Sequence, residues 1–243
     1  MLKWFVAITL LALSAGAQYW AIQRRSARAC RGAMEVAGQA GRVRAWLAEG
    51  EADPFLMGAP FLGPTGAVIE ELLQRARWIS SESSGSRLPP EAQKAFLQLG
   101  LAGKAPSPLD AALAGVEKLS LECDPRFPAT EEVRLHFKVS EAGRAWEERR
   151  KQAKADKLLF EADRQIYCKG DELLLSLRKV VAAHEARCQA EKLPPKVAAA
   201  CKAGKNEALA AEVADLEAQK EFNLKKMRAK WPQPVVEGIS CGS

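Results

Sequence analysis

The sequence predicts a mainly α fold: an N-terminal membrane-anchor helix, a helical body with a small antiparallel β element, and a C-terminal αα-hairpin. Three observations lead there. A 19-residue apolar run from Trp4 to Ile22 is broken only by Thr9, Ser14 and Gln18. Helical periodicity covers most of the chain beyond Ile22, with one change of period near residue 119. Cys188 and Cys201 lie six residues either side of the pair Pro194-Pro195. The chain has 243 residues, 48% of them hydrophobic and 27% charged, so it can bury a real core.

Residues 1–25 read as the anchor. A membrane-spanning helix needs about 20 apolar residues. Here Trp4, Leu10 and Leu11 supply bulk, and Trp20 and Ile22 close the run beside Tyr19, where interfacial aromatics belong. Lys3 precedes the run, and Arg24, Arg25, Arg28 and Arg31 follow it. The alternative is a cleaved signal peptide, since Ala15-Gly16-Ala17 fits a small-residue cleavage site with Gln18 as the mature start. Apolar character that continues past Ala17 favours the anchor.

Residues 26–53 continue as a helical stalk, with Val36, Val43 and Leu47 at helical intervals, ended by Asp53-Pro54. Residues 54–118 form a helical region that opens on a Pro/Gly-rich loop. Its repeated Pro-Phe-Leu places Phe55, Leu56, Phe61 and Leu62 where regular structure is forbidden. Such an apolar loop must pack beneath the protein's own helices or dock on a partner or the bilayer surface. Thr65 offers an N-cap to a helix reaching Ser80, residues 80–90 are a linker, and short helices follow near 91–101 and 107–115.

Residues 119–140 are expected to be a small β-hairpin. Leu119, Leu121 and Cys123 alternate with polar residues, as do Val133, Leu135, Phe137 and Val139. Val235 to Cys241 is a candidate third strand. Residues 141–243 are the helical hairpin with a short extended tail, interrupted near Gly170-Asp171 and turned at Pro194-Pro195. Folding about that turn sets Val180 opposite Leu209, Leu173 opposite Leu216, and Cys188 opposite Cys201, a predicted disulfide. Leu174, Val181 and Cys188 also repeat every seven, and Cys188, continuing that stripe, is expected to face inward. Gly204 and Asn206 allow the return arm to be two helices rather than one.

Six cysteines all follow the apolar run, and none forms a C-x-x-C pair. An even set beyond a signal-like segment points to disulfides in an oxidising compartment, so the body is placed on the exported, periplasmic or extracellular side. The arginines after the run argue the other way by the positive-inside count.

Only two histidines occur, and no metal-ligand spacing, HExxH, GxSxG or dinucleotide fingerprint is present. Gly100 to Lys104 imitates a phosphate loop but has Ala105 where the magnesium-binding Ser or Thr belongs. No catalytic residue, cofactor or metal is expected. Adjacent carboxylates such as Glu70-Glu71 point to different faces of a helix and read as solvated. Residues 141–231 hold 20 Lys and Arg against 15 acids. That surplus allows contact with anionic lipid head groups or another anionic polymer, though little aromatic interleaving argues against nucleic acid. The expected function is a membrane-anchored, single-pass, envelope-facing scaffold without catalytic activity. Its partners would be other membrane or envelope proteins, or further copies of itself. The alternatives are a basic module gripping an anionic polymer or lipid head groups, a secreted disulfide-stabilised binding protein, and an enzyme whose site is assembled from scattered residues.

Overall fold

The computed structural model describes residues 2–82, 88–123, 133–189, 193–202 and 205–241. Side chains are described from residue 13 onward, apart from those of 133, 134, 200, 202, 205 and 206. Eight α-helices are found among these residues: α1 (Leu2–Ala52), α2 (Gly63–Glu82), α3 (Pro90–Leu101), α4 (Pro106–Glu117), α5 (Val133–Cys188), α6 (Pro195–Lys202), α7 (Lys205–Lys230) and α8 (Gln233–Glu237). A 3-10 turn at Ala59–Phe61 joins α1 to α2. The chain divides into two compact units, Met1–Lys151 and Gln152–Ser243.

In the first unit α1 is the central strut rather than a free stalk. Ala29, Ala33, Val36, Ala40, Val43 and Leu47 recur at alternating steps of four and three and are all buried. Helices α2 and α4 run antiparallel to α1 and pack on it, and α3 packs on both α2 and α4. The core between them is filled by Ile69, Leu72, Phe96, Leu99, Leu113 and Val116.

The start of α5 joins this unit parallel to α1. The Leu135 amide donates to Glu35 (3.2 Å), and Trp46 meets Trp146 with ring centroids 6.2 Å apart. The Trp146 indole donates to Glu49 (2.7 Å). Cys30 is bonded to Cys123, which ties the segment after α4 to α1.

No strand is present among the described residues, so the expected β-hairpin is corrected. Residues 119–123 carry no regular structure, 124–132 lie outside the described residues, and Val133 opens α5. Leu135, Val139, Ala142 and Trp146 are all buried and follow 4-3-4 spacing, while Phe137 is exposed. Two apolar residues four apart satisfy both a strand's alternation and a helix face. Continuation to Trp146 decides for the helix. The candidate third strand is likewise absent: Val235 and Val236 belong to α8, and residues 238–241 have no regular structure.

The Pro-Phe-Leu loop closes on the first unit through two close backbone approaches. A Cβ at Gly66 would lie 2.3 Å from the Phe61 carbonyl oxygen, and one at Gly50 would lie 2.6 Å from the Pro60 ring. Thr65 does not cap α2. Its buried hydroxyl donates toward the carbonyls of Ala59 (3.0 Å) and Leu62 (2.7 Å), pinning the turn instead.

The second unit is an antiparallel arm. Helix α5 passes Gly170 without a break, which corrects the expected interruption. One glycine costs a helix only about 1 kcal/mol, and the Asp171 beside it is held by Lys220 of α7. Arg178 pairs with Glu217, and Lys230 with Asp163 (2.8 Å), so α7 returns along α5. Phe160 and Trp231 meet edge to face with centroids 5.9 Å apart. The tail turns back onto α5, where Cys168 is bonded to Cys241.

Candidate functional site

Two surfaces stand out, one in each unit. The first is the N-terminal part of α1. Leu13, Tyr19, Trp20 and Ile22 are more than half exposed. The Arg24 guanidinium lies 5.2 Å from the centre of the Trp20 ring, a cation–π contact. Arg25 and Arg28 are also exposed. The side chains of Trp4, Leu10 and Leu11 lie outside the described residues. Among the described residues no helix is long and apolar enough to cross a membrane. The helical backbone nevertheless runs unbroken from Leu2 through Ile22, and Ala27 is already buried in the first unit. At 1.5 Å per residue that is about 8 Å beyond Ile22.

Where α1, α2 and α5 converge, a charge cluster fixes their relation. Arg75 donates to Glu35 and, at 2.9 Å, to Glu71, which also accepts from Lys138 (2.6 Å). Burial pushes the Glu35 carboxyl above its ordinary range, against the pull of Arg75 and the first amides of α5. The Glu71 carboxyl is held below its ordinary range, first by the Lys138 hydrogen bond. Glu35 thereby caps α5 from another helix, satisfying an amide that no carbonyl of α5 can reach. Sequence reasoning missed this cluster. Apart from Glu71 and Arg75, one helical turn apart on α2, its contacts join residues 40 to 100 positions apart, and nothing in an isolated Glu or Arg announces a tertiary partner.

Of the candidate docking residues, Leu56 is in the core, Phe55 and Phe61 are half-buried, and Leu62 is exposed, as is Met57. Leu56, Ala59 and Pro60 thus seat the loop on the first unit, while Met57 and Leu62 remain at the surface.

The second surface lies on the arm. Leu174 is buried, and Leu177, Val181, His184 and Cys188 are half-buried, so this is the stripe of α5 that faces α7. Leu173 and Val180 point to solvent, each more than half exposed. Their expected pairing with Leu216 and Leu209 is therefore corrected. The heptad of Leu174, Val181 and Cys188 is the one that meets the return arm, a rotation of one residue. Cys188 is bonded to Cys201 of α6, with Cα atoms 5.7 Å apart, the pair read from the proline turn. The His184 ring nitrogen Nδ1 lies 3.5 Å from the Cys188 sulfur. His136 is exposed on α5. No group of three or more metal-ligating side chains occurs among the described residues.

No protein family matches the chain, and neither a curated protein nor a solved structure is similar to it. The functional reading therefore rests on the chain's own physics.

Proposed function

We propose that this protein is a membrane-anchored, envelope-facing helical scaffold without catalytic activity, whose second unit presents an arm to other proteins. One observation carries the reading. A single helix leads from the apolar N-terminal run into the core of the first unit, with no flexible linker between them. An anchor built this way holds the body close to the bilayer and transmits its orientation. Tyr19, Trp20 and the arginines from Arg24 onward would sit at head-group level, where aromatic rings and guanidinium groups are favoured. All six cysteines are paired in three disulfides, none of them free, which fits an exported body.

The test is a C-terminal alkaline phosphatase fusion combined with a carbonate wash of membranes. Phosphatase activity with retention in the pellet is expected. An inactive fusion would move the body to the reducing side of the membrane. A soluble chain whose N-terminus is Gln18 would replace anchoring by secretion, the second reading, which the Ala15-Gly16-Ala17 cleavage pattern favours.

A further inference from the structure

Helix α5 carries a second apolar seam that no described residue covers. Leu159, Ile166, Leu173 and Val180 repeat every seven residues, and each is more than half exposed. The positions three residues after each hold Ala162, Lys169, Ser176 and Ala183, all exposed as well. Large aliphatic residues alternating with small or unbranched ones at this spacing fit the a and d positions of a coiled coil. The seam is turned by about one residue, near 100° around the helix, from the stripe that meets α7. The arm is therefore a two-helix layer whose longer helix offers a place for a third.

We propose that this seam pairs with the same seam of a second copy of the chain, antiparallel, about a two-fold axis at the level of residue 171. The residue pattern is self-complementary in that arrangement. Leu159 falls opposite Ala183 of the second copy, Ile166 opposite Ser176, Leu173 opposite the aliphatic stem of Lys169, and Val180 opposite Ala162. Each large side chain meets a small or unbranched one, so the helices can approach closely. The charges agree. Lys169 of each copy lies beside Glu172 of the other, twice by symmetry, and neither side chain is ion-paired with a described residue within one chain. A parallel pairing would instead stack Lys169 on Lys169 in the seam. Four large aliphatic side chains per copy make a small seam, at the weak end of specific association, so dissociation in the micromolar range is expected. This deepens the interaction role proposed for the arm and is independent of how the N-terminus is held.

The full-length chain, purified in a mild detergent, is studied by light scattering across a concentration series. A dimer is expected. Ile166→Glu together with Leu173→Glu should leave a monomer, with helix content unchanged by circular dichroism because both positions are exposed. Lys169→Glu or Glu172→Lys alone should raise the dissociation constant at least about tenfold. The double exchange Lys169→Glu/Glu172→Lys should bring it back to the wild-type value, since loss in each single variant and recovery in the double mark the two residues as partners across an antiparallel interface. A wild-type chain monomeric up to about 100 µM would overturn the proposal. So would a dimer indifferent to the seam, or a double exchange that fails to restore it. Should the two glutamates disturb folding, the charge exchange alone decides. Membrane retention is read separately, so loss of the anchor and loss of the dimer are distinct results.

Discussion

The two units are built from the same element and held together by different forces. In the first, α2, α4 and the start of α5 pack around α1, and α3 covers α2 and α4. Fully buried side chains such as Phe96, Ile69, Leu72 and Leu135 are packed there from several sides. In the second, α5 and α7 touch along one stripe. Only Ala153, Phe160, Leu174, Met227, Trp231 and Val236 are buried hydrophobics among its described residues. An arm with so few buried apolar side chains has less packing to set against its conformational entropy. Two of the three disulfides lie in it, at its turn and at its tail. The first unit is a packed bundle to which a bond was added, and the second is a cross-linked arm to which a little packing was added.

Reduction should break that comparison most visibly. In the chain-entropy view, Cys168–Cys241, with a sequence separation of 73, stabilises by roughly 4 kcal/mol, and Cys188–Cys201, with a separation of 13, by roughly 3 kcal/mol. Replacing all four cysteines by serine should expose the amides of α6, α7 and the second half of α5 to rapid hydrogen exchange. The amides of α2, α3 and α4 should stay protected. Uniform loss of protection in both units would mean that they unfold as one.

Side-chain truncation sharpens the contrast from the other side. Phe96→Ala should cost about 3–5 kcal/mol in urea unfolding of the first unit, because the fully buried ring leaves a cavity its rigid neighbours cannot fill. Leu174→Ala in the arm should cost about 2 kcal/mol, the low end for leucine, because two helices can close on a missing side chain more easily than a bundle can. Equal costs would place a core in the arm comparable to that of the bundle.

The same division governs how much of the molecule was legible in the chain alone. Local signals were enough for the end of α1 at Asp53-Pro54, for α3 and α4, and for the cysteines flanking Pro194-Pro195, since a tight turn brings nearby positions together whatever the rest of the fold does. The segment from Val133 to Val139 was misleading because four alternating apolar residues fit a strand. Only Ala142 and Trp146, further along, reveal the helical period. The choice between Leu173 and Leu174 as the inward residue turned on one position of rotation, and both neighbouring heptads are apolar. The pairs Cys30–Cys123 and Cys168–Cys241 and the Glu35–Arg75 and Glu71–Lys138 contacts depend on the tertiary path, which no spacing encodes.

The smallest expected effect concerns pH, and it falls where the arm ends. Asp163 accepts hydrogen bonds from Lys230 and from the Trp231 indole, both at 2.8 Å. The Lys230 contact, and after it the Trp231 bond, hold its carboxyl below the ordinary aspartate range. A carboxyl depressed in the folded state stabilises fully above its unfolded value, near pH 4, and the contribution disappears as pH falls through the folded value. The side chains of Asp163 and Lys230 are 32% and 54% exposed, so solvent screens the pair to about 0.5 kcal/mol. Asp163→Asn keeps an acceptor for the indole while removing the charge. It should lower arm stability by that amount at pH 7 and by nothing measurable at pH 2, read from urea midpoints of the two forms. A difference that persists unchanged at pH 2 would assign the effect to packing around Trp231 rather than to the carboxylate.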